Sequence, residues 1–145
     1  MKRIQLIGFI TAMVLGSFTS CTKDSTSSTS TAIATSTVLL QGSWKITYFN
    51  DSGTDKTTSF SGYIFTFVTG GSMSALNGSV VYNGSWTTHN DDSENKLFLD
   101  FGATPPPLDG LKHDWQIIEK TSVKIRLQDV SGGAGATDYL TFEKI

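Results

Sequence analysis

The stretch GSWKITYF, residues 42–49, carries the pattern that decides the fold. In an extended chain, Trp44, Ile46 and Tyr48 fall on one face, and the two polar residues between them fall on the other. This alternation of apolar and polar side chains is typical of a β-strand that buries one face. The stretch therefore predicts the first strand of an all-β domain.

Short strands of the same kind recur as far as the C-terminus. Turn signals separate them, and Gly70-Gly71 and Asn77-Gly78 are typical of tight hairpins. A further signal, Asn83-Gly84, favours a bulge or bend inside one long strand. No stretch has a helical period, and the short turns favour an antiparallel up-and-down sandwich or barrel. The predicted strands cover residues 43–49, 62–68, 72–76, 79–89, 96–101, 114–119, 123–128 and 139–143.

The N-terminus is typical of a bacterial secretory signal. Two basic residues precede an apolar run over residues 4–15, which is shorter than the ~20 residues of a spanning helix. The stretch FTSC that follows, residues 18–21, resembles a bacterial lipobox. This resemblance implies that residues 1–20 are removed as a signal peptide. It also implies that Cys21 is the lipid attachment site and carries acyl chains such as palmitate.

A tether and one folded domain are predicted after the signal peptide. Residues 21–39 are rich in Ser and Thr, and such a segment buries too little apolar surface to offset its ordering entropy. We therefore expect a flexible tether there and a barrel domain over residues 40–145. The lipid anchor predicts that the membrane is a partner. It places the domain at the bacterial outer membrane, facing either the periplasm or the cell surface.

Composition and motifs exclude several classes of function. The net charge of −2 offers no basic face, so nucleic acid is not an expected partner. Cys21 is the only cysteine, so a disulfide within the chain and a cysteine zinc site are excluded. His89 and His113 lack the spacing of a metal motif and are interpreted as surface histidines. We expect no metal, no cofactor and no catalysis, because no nucleophile–base motif is present.

Aromatic motifs mark several of the predicted strands in order along the chain. They are Gly42-Ser43-Trp44, Phe65-Thr66-Phe67, Gly84-Ser85-Trp86, Trp115-Gln116-Ile117 and Leu140-Thr141-Phe142-Glu143-Lys144. In this order they resemble lipocalins and the lipocalin-like domains of Bacteroidota-type outer-membrane lipoproteins. The resemblance implies an eight-stranded up-and-down antiparallel lipocalin-like barrel with a central cavity. It gives Gly42 and Trp44 a structural role at the closed end, with Lys144 the nearest basic residue able to stack on Trp44.

Two hypotheses about function follow from this resemblance. In the first, the lipid-anchored barrel binds a small apolar or amphiphilic ligand. In the second, it is a non-enzymatic accessory or interaction lipoprotein with a packed barrel, acting through its loops or outer face. Barrels of this size hold either packed side chains or one small ligand, and we expect a monomer in both cases. The candidate cavity residues are Tyr48, Tyr63, Phe65, Phe67, Trp86 and Trp115.

Overall fold

One antiparallel sheet, closed on itself, makes up nearly all of the structure. The computed structural model describes residues 35–91, 93–130 and 136–145. Within these ranges the strands are β1 (Ser43–Asp51), β2 (Thr54–Asp55), β3 (Tyr63–Val68), β4 (Ser72–Asn77), β5 (Val80–Asp91), β6 (Glu94–Asp100), β7 (Asp114–Lys120), β8 (Lys124–Asp129) and β9 (Asp138–Lys144).

The barrel closes where the first long strand meets the last. β1 pairs with β3, each later strand pairs with the next, and β9 returns to pair with β1. That last pairing runs from Trp44 opposite Lys144 to Asn50 opposite Tyr139. The two-residue strand β2 pairs only with the end of β1, so eight strands form the wall. Closure leaves each of these strands with two neighbours. The predicted eight-stranded up-and-down antiparallel barrel is confirmed.

Alternate side chains of the strands point into the barrel and form its core. Met73 and Ala75 of β4 are buried, and so are Leu97 and Leu99 of β6. Burial of apolar surface on this scale is the main favourable contribution to folding. Other inward side chains are Ile46, Phe65, Phe67, Trp86, Ile125, Leu127, Leu140 and Phe142.

The alternation breaks inside β1, where the sequence interpretation of Tyr48 is corrected. Trp44 and Ile46 point inward as predicted, but the register against β9 shifts between Ile46 and Tyr48. A bulge inserts one residue and therefore exchanges the two faces of the strand beyond it. Phe49 is buried in place of Tyr48, which is 41% exposed.

Val123 is also placed differently from its predicted position in a strand. It precedes β8 in the turn after β7, and its side chain is 56% exposed. The Thr121 hydroxyl accepts hydrogen bonds from the backbone amides of Val123 and Lys124, at 3.3 and 2.9 Å. Such side-chain bonds to the backbone favour a turn over continued pairing, so the strand begins one residue later.

β5 is a single strand of twelve residues. Its first half pairs with β4 and its second half with β6, and both registers are continuous. The predicted single strand is therefore correct, while Asn83-Gly84 introduces no register bulge. A Cβ on Gly84 would lie 2.7 Å from the carbonyl oxygen of Asp100, so glycine permits the close approach of the two strands.

A helical turn over residues 35–39 closes the barrel at the end where β1 begins, called here the Trp44 end. Leu39 is fully buried, and its carbonyl oxygen accepts a hydrogen bond from Trp44 Nε1 at 3.0 Å. Thr35 is buried as well. The folded domain thus begins earlier than the boundary predicted between residues 39 and 40. The cause is the packing of Leu39, which the surrounding Ser/Thr-rich composition obscures.

Two short 3-10 turns close the opposite end, called here the Trp115 end. They are Thr57–Phe60 and Leu108–Leu111, and Phe60, Leu108 and Leu111 are buried. Trp115 Nε1 donates a hydrogen bond to the carbonyl oxygen of Leu111 at 3.0 Å. Pro105-Pro106-Pro107 leads into the second turn. Both ends of the barrel are therefore covered by apolar side chains.

The predictions that concern the membrane fall on another part of the chain. Cys21, the signal peptide over residues 1–20 and the tether as far as residue 34 lie outside the described residues. In the ranges that are described, no helix has the length and apolar character needed to cross a bilayer.

Candidate functional site

Five of the six side chains predicted to line a cavity point into the barrel. Each of the five is at most 8% exposed. The sixth, Tyr48, lies on the outside because of the bulge in β1. The inward five are Tyr63, Phe65, Phe67, Trp86 and Trp115.

Aromatic rings fill the middle of the barrel. The ring of Phe142 lies edge-to-face with Phe65 and with Phe67, at centroid distances of 5.4 and 5.7 Å. Phe67 also meets Trp86 at 5.6 Å, and Phe65 stacks with Tyr63 at 6.2 Å. These are favourable aromatic pairs of a packed core. The predicted cavity residues therefore occupy the interior, where the resemblance had implied an open space.

The indole N–H groups of the three tryptophans all bond to backbone carbonyl oxygens. Trp86 Nε1 donates to Val68 and to Ser72, at 3.2 and 3.0 Å. Trp44 and Trp115 donate to the turns that close their respective ends. Ligand pockets use a few converging polar groups to orient what they bind. These three indoles offer no such free donor.

The Gly42-Ser43-Trp44 motif lies at the Trp44 end, where the resemblance places it. Trp44 is fully buried, and Lys144 Nζ lies 5.4 Å from the centroid of its ring. Gly42 has φ +87°, and a Cβ there would lie 3.7 Å from the aliphatic chain of Lys144. Lysine therefore supplies the basic group over the tryptophan, in a cation–π arrangement.

A wide cleft lies outside the barrel at the Trp44 end. Its volume is about 740 Å³, within the range of small-molecule pockets. The helical turn, the hairpin between β3 and β4, and the outer parts of β5 and β6 form its walls. The lining residues are Ser36, Leu40, Thr69, Gly70, Gly71, Ser85, Trp86, Thr87, Thr88 and Phe98.

Charged side chains gather at the Trp115 end. His113 Nδ1 lies 2.7 Å from Asp129 Oδ2, and Asp138 lies beside both. On the neighbouring end of β1, a hydrogen bond from Lys56 lowers the pKa of the Asp51 carboxyl below its ordinary 3.8. Imidazole nitrogen and carboxylate oxygen are both donor types that bind divalent metal ions.

A second histidine–aspartate pair lies on the outer face of β5, β6 and β7. His89 Nε2 is 3.3 Å from Asp114. The ammonium of Lys96 lies among three carboxylates, 3.8 Å from Asp91 and 3.9 Å from both Glu94 and Asp114. A lysine therefore already supplies the positive charge in this group. This arrangement agrees with the interpretation of His89 as a surface histidine.

A solved structure of another protein shares this architecture. A DUF4847 family protein from Bacteroides vulgatus ATCC 8482 is 16% identical, with a TM-score of 0.53 over 77% of this chain and 97% of that one. Eight antiparallel strands in sequence order close beside the Gly-x-Trp motif, whose tryptophan is fully buried. The fold is that of a lipocalin-like barrel. At 16% identity the likeness concerns the fold alone.

Two further solved structures resemble this lipocalin-like barrel. An uncharacterized protein from Bacteroides eggerthii DSM 20697 is 17% identical, with a TM-score of 0.47 over 70% of this chain and 97% of that one. A lipocalin-like protein from Bacteroides uniformis ATCC 8492 is 18% identical, with a TM-score of 0.46 over 73% and 98% of the two chains. No protein-family model and no curated protein matches the sequence.

Sequence reasoning missed the group of His113, Asp129 and Asp138. His113 and Asp129 are 16 residues apart, and neither belongs to a metal or catalytic motif. They meet because β7, β8 and β9 are neighbours in the lipocalin-like barrel. The one available signal in the sequence was that Asp129 and Asp138 flank the glycine-rich segment 131–136. Without the register of β8 and β9, this signal does not predict that the two carboxylates meet.

Proposed function

We propose that this chain is a lipid-anchored lipoprotein of the bacterial cell envelope, whose lipocalin-like barrel is a packed scaffold with an accessory or interaction role. The interior supports this proposal. Phe65, Phe67 and Phe142 meet in its middle, and buried side chains cover both ends. A ligand inside would have to displace close-packed rings, which is unfavourable in a protein core. The loops and the outer face are then the surfaces on which a partner binds.

A displacement experiment with a fluorescent fatty acid tests the packed interior. For residues 35–145 we expect no saturable binding. The Phe65→Ala variant is the matched control, because apolar cavities made by truncation in a core bind small apolar molecules. Phe65→Leu is a milder second variant, and circular dichroism checks that each variant is folded. The proposal would be contradicted if the unaltered barrel bound the fatty acid saturably and if Phe67→Ala or Phe142→Ala weakened that binding.

A second candidate is a small amphiphilic ligand bound in the cleft at the Trp44 end. The observation that favours it is the cleft's volume of about 740 Å³, beside Leu40 and Phe98. In that case the same probe binds the unaltered barrel, Phe98→Glu abolishes binding, and Phe142→Ala leaves it unchanged. No saturable binding to the unaltered barrel counts against this candidate.

The anchor is proposed from the N-terminal sequence, and it has its own experiment. Two acyl chains give stable attachment, since each buried CH₂ contributes about 0.8 kcal/mol. Cells fed an alkyne-tagged palmitate should label the chain, and it should fractionate with the outer membrane. Cys21→Ala should remove both properties, whereas Ser25→Ala should remove neither. Labelling that persists in Cys21→Ala would contradict a lipid anchor at this residue.

A further inference from the structure

One group of three metal-ligating side chains is present among the residues that the structure describes. It consists of His113, Asp129 and Asp138, and one ligand atom from each lies within 4.8 Å of the other two. His113 directly precedes β7, Asp129 ends β8 and Asp138 begins β9. Three neighbouring strands of the barrel therefore bring the group together at the Trp115 end.

The backbone places two carboxylates directly opposite each other. Asp129 and Asp138 form the last cross-strand pair of β8 and β9. Like charges in this position destabilise a sheet, and burial increases their repulsion because the local dielectric constant is lower. Asp138 is only 5% exposed. A positive charge bound between the two strands therefore stabilises this pair of carboxylates.

Two neighbours hold the group in place. The backbone amide of Ser52, a residue with φ +52°, donates a hydrogen bond to Asp138 Oδ1 at 2.6 Å. The rings of His113 and Trp115 pack edge-to-face, with a centroid distance of 5.2 Å. A buried carboxylate and an imidazole are thus oriented before any ligand binds, which lowers the entropic cost of binding.

We propose that His113, Asp129 and Asp138 bind a divalent transition-metal ion, for which Zn²⁺ is the probe. The donor set is one imidazole nitrogen with two carboxylate oxygens. Zinc accepts three such protein ligands and keeps a fourth position for water. Calcium instead takes six to eight oxygen ligands, more than these three side chains supply. Selectivity for Zn²⁺ over Ca²⁺ follows from this chemistry.

The distances are compatible with small side-chain movements on binding. Tetrahedral zinc with bonds of about 2.0–2.2 Å places its ligand atoms roughly 3.3 Å apart. His113 Nδ1 and Asp129 Oδ2 are now 2.7 Å apart, and the widest separation in the group is within 4.8 Å. Imidazole binds a metal ion through a deprotonated nitrogen, so the proton between His113 Nδ1 and Asp129 is released to solvent and this contact opens.

The group around His89 provides a matched comparison on the same molecule. It too joins a histidine to an aspartate, at 3.3 Å. The ammonium of Lys96 lies within 3.9 Å of Asp114 and supplies the positive charge that a metal ion would bring. We therefore expect the His113 group to bind Zn²⁺ and the His89 group not to bind it.

Calorimetric titration with Zn²⁺ tests the proposal on the full chain carrying Cys21→Ser, which removes its single thiol as a competing ligand. We expect one equivalent to bind, with a change in tryptophan fluorescence because Trp115 contacts His113. His113→Gln should weaken binding by about tenfold or more, and His89→Gln should leave it unchanged.

Asp129→Asn is the second variant, because Asp138 is buried and its replacement can unfold the domain. It should also weaken binding by about tenfold or more, while Ca²⁺ should give no heat in any variant. The proposal is overturned if Zn²⁺ shows no saturable binding to the folded chain. It is also overturned if His89→Gln abolishes binding while His113→Gln leaves it intact.

Discussion

The two ends of the barrel are built alike around a tryptophan and differ in charge. At each end, the indole donates a hydrogen bond to a carbonyl oxygen four or five residues earlier, in a turn that buries a leucine. Leu39 belongs to the turn before Trp44, and Leu111 belongs to the turn before Trp115. The Trp44 end adds a single lysine over its ring, whereas the Trp115 end adds the group of His113, Asp129 and Asp138. Apolar packing around a tryptophan therefore closes both ends. It does not explain why three metal-ligating side chains are gathered at the Trp115 end.

The largest effect expected is the loss of either tryptophan. Trp44→Ala and Trp115→Ala should each lower the free energy of unfolding by about 3–5 kcal/mol, because both rings are fully buried. Trp→Phe at either position keeps most of the apolar surface but removes the indole hydrogen bond, so the loss should be smaller. Urea titration followed by circular dichroism measures each value. A large loss of stability at one end with a negligible loss at the other would show that the two tryptophans do not play equivalent roles.

The turn over residues 35–39 should contribute to the stability of the folded domain. Leu39→Ala should lower the free energy of unfolding by about 2–4 kcal/mol, as for other buried leucines. Val123→Ala is the control, because this exposed side chain should matter by less than about 0.5 kcal/mol. If Leu39→Ala and Val123→Ala prove equal in the same urea assay, the Trp44 end is not closed by this turn.

Lys144 should make a smaller contribution at the Trp44 end. Lys144→Met keeps the aliphatic chain and removes the charge over Trp44, and it should lower stability by about 0.5–1 kcal/mol. Lys124→Met is a comparable change in the adjacent strand β8, where Nζ lies 3.5 Å from Glu143 at the surface, and should lower stability by less. Urea unfolding of the two variants in parallel measures the difference. Equal values for both would show that the ring does not stabilise the Lys144 charge.

Acid should lower the stability of the domain by protonating Asp100 at the Trp115 end. This is the smallest of the four expected effects on stability. The Gly102 amide and then the Lys112 ammonium donate hydrogen bonds to Asp100 and lower the pKa of its carboxyl below 3.8. A carboxyl with a lowered pKa stabilises the fold above 3.8, and this stabilisation is lost as the pH falls through the folded pKa. The melting temperature of Asp100→Asn should therefore fall less than that of the unaltered chain between about pH 5 and pH 3. An equal fall in both proteins would show that Asp100 does not contribute to the loss of stability in acid.

Much of the fold could be predicted from local patterns. The inward faces of β4, β6 and β9 follow from plain alternation, and the Gly70-Gly71 hairpin follows from its turn chemistry. Tyr48 was misplaced because a bulge leaves no mark on the alternation of the residues that flank it. The turn before β1 was missed for a similar reason. Its burial depends on Leu39 meeting Trp44, and propensity alone does not encode that contact.

The functional features were harder to predict than the fold. Six aromatic residues were compatible either with a cavity or with a core, and only their ring-to-ring distances distinguish the two. The group of His113, Asp129 and Asp138 depends on strand register, since a shift of one residue would move Asp129 to the other face. Lipid attachment at Cys21 stays a prediction from the sequence.

Native mass spectrometry tests the central claim, a barrel with a packed interior, most directly. Residues 35–145 are purified from cell extract without detergent, then measured before and after unfolding and refolding. The packed barrel predicts the mass of the polypeptide alone in both spectra, apart from metal ions removed by a chelator. A reproducible organic mass that is lost on unfolding, and that returns when the extract is added back, would contradict it.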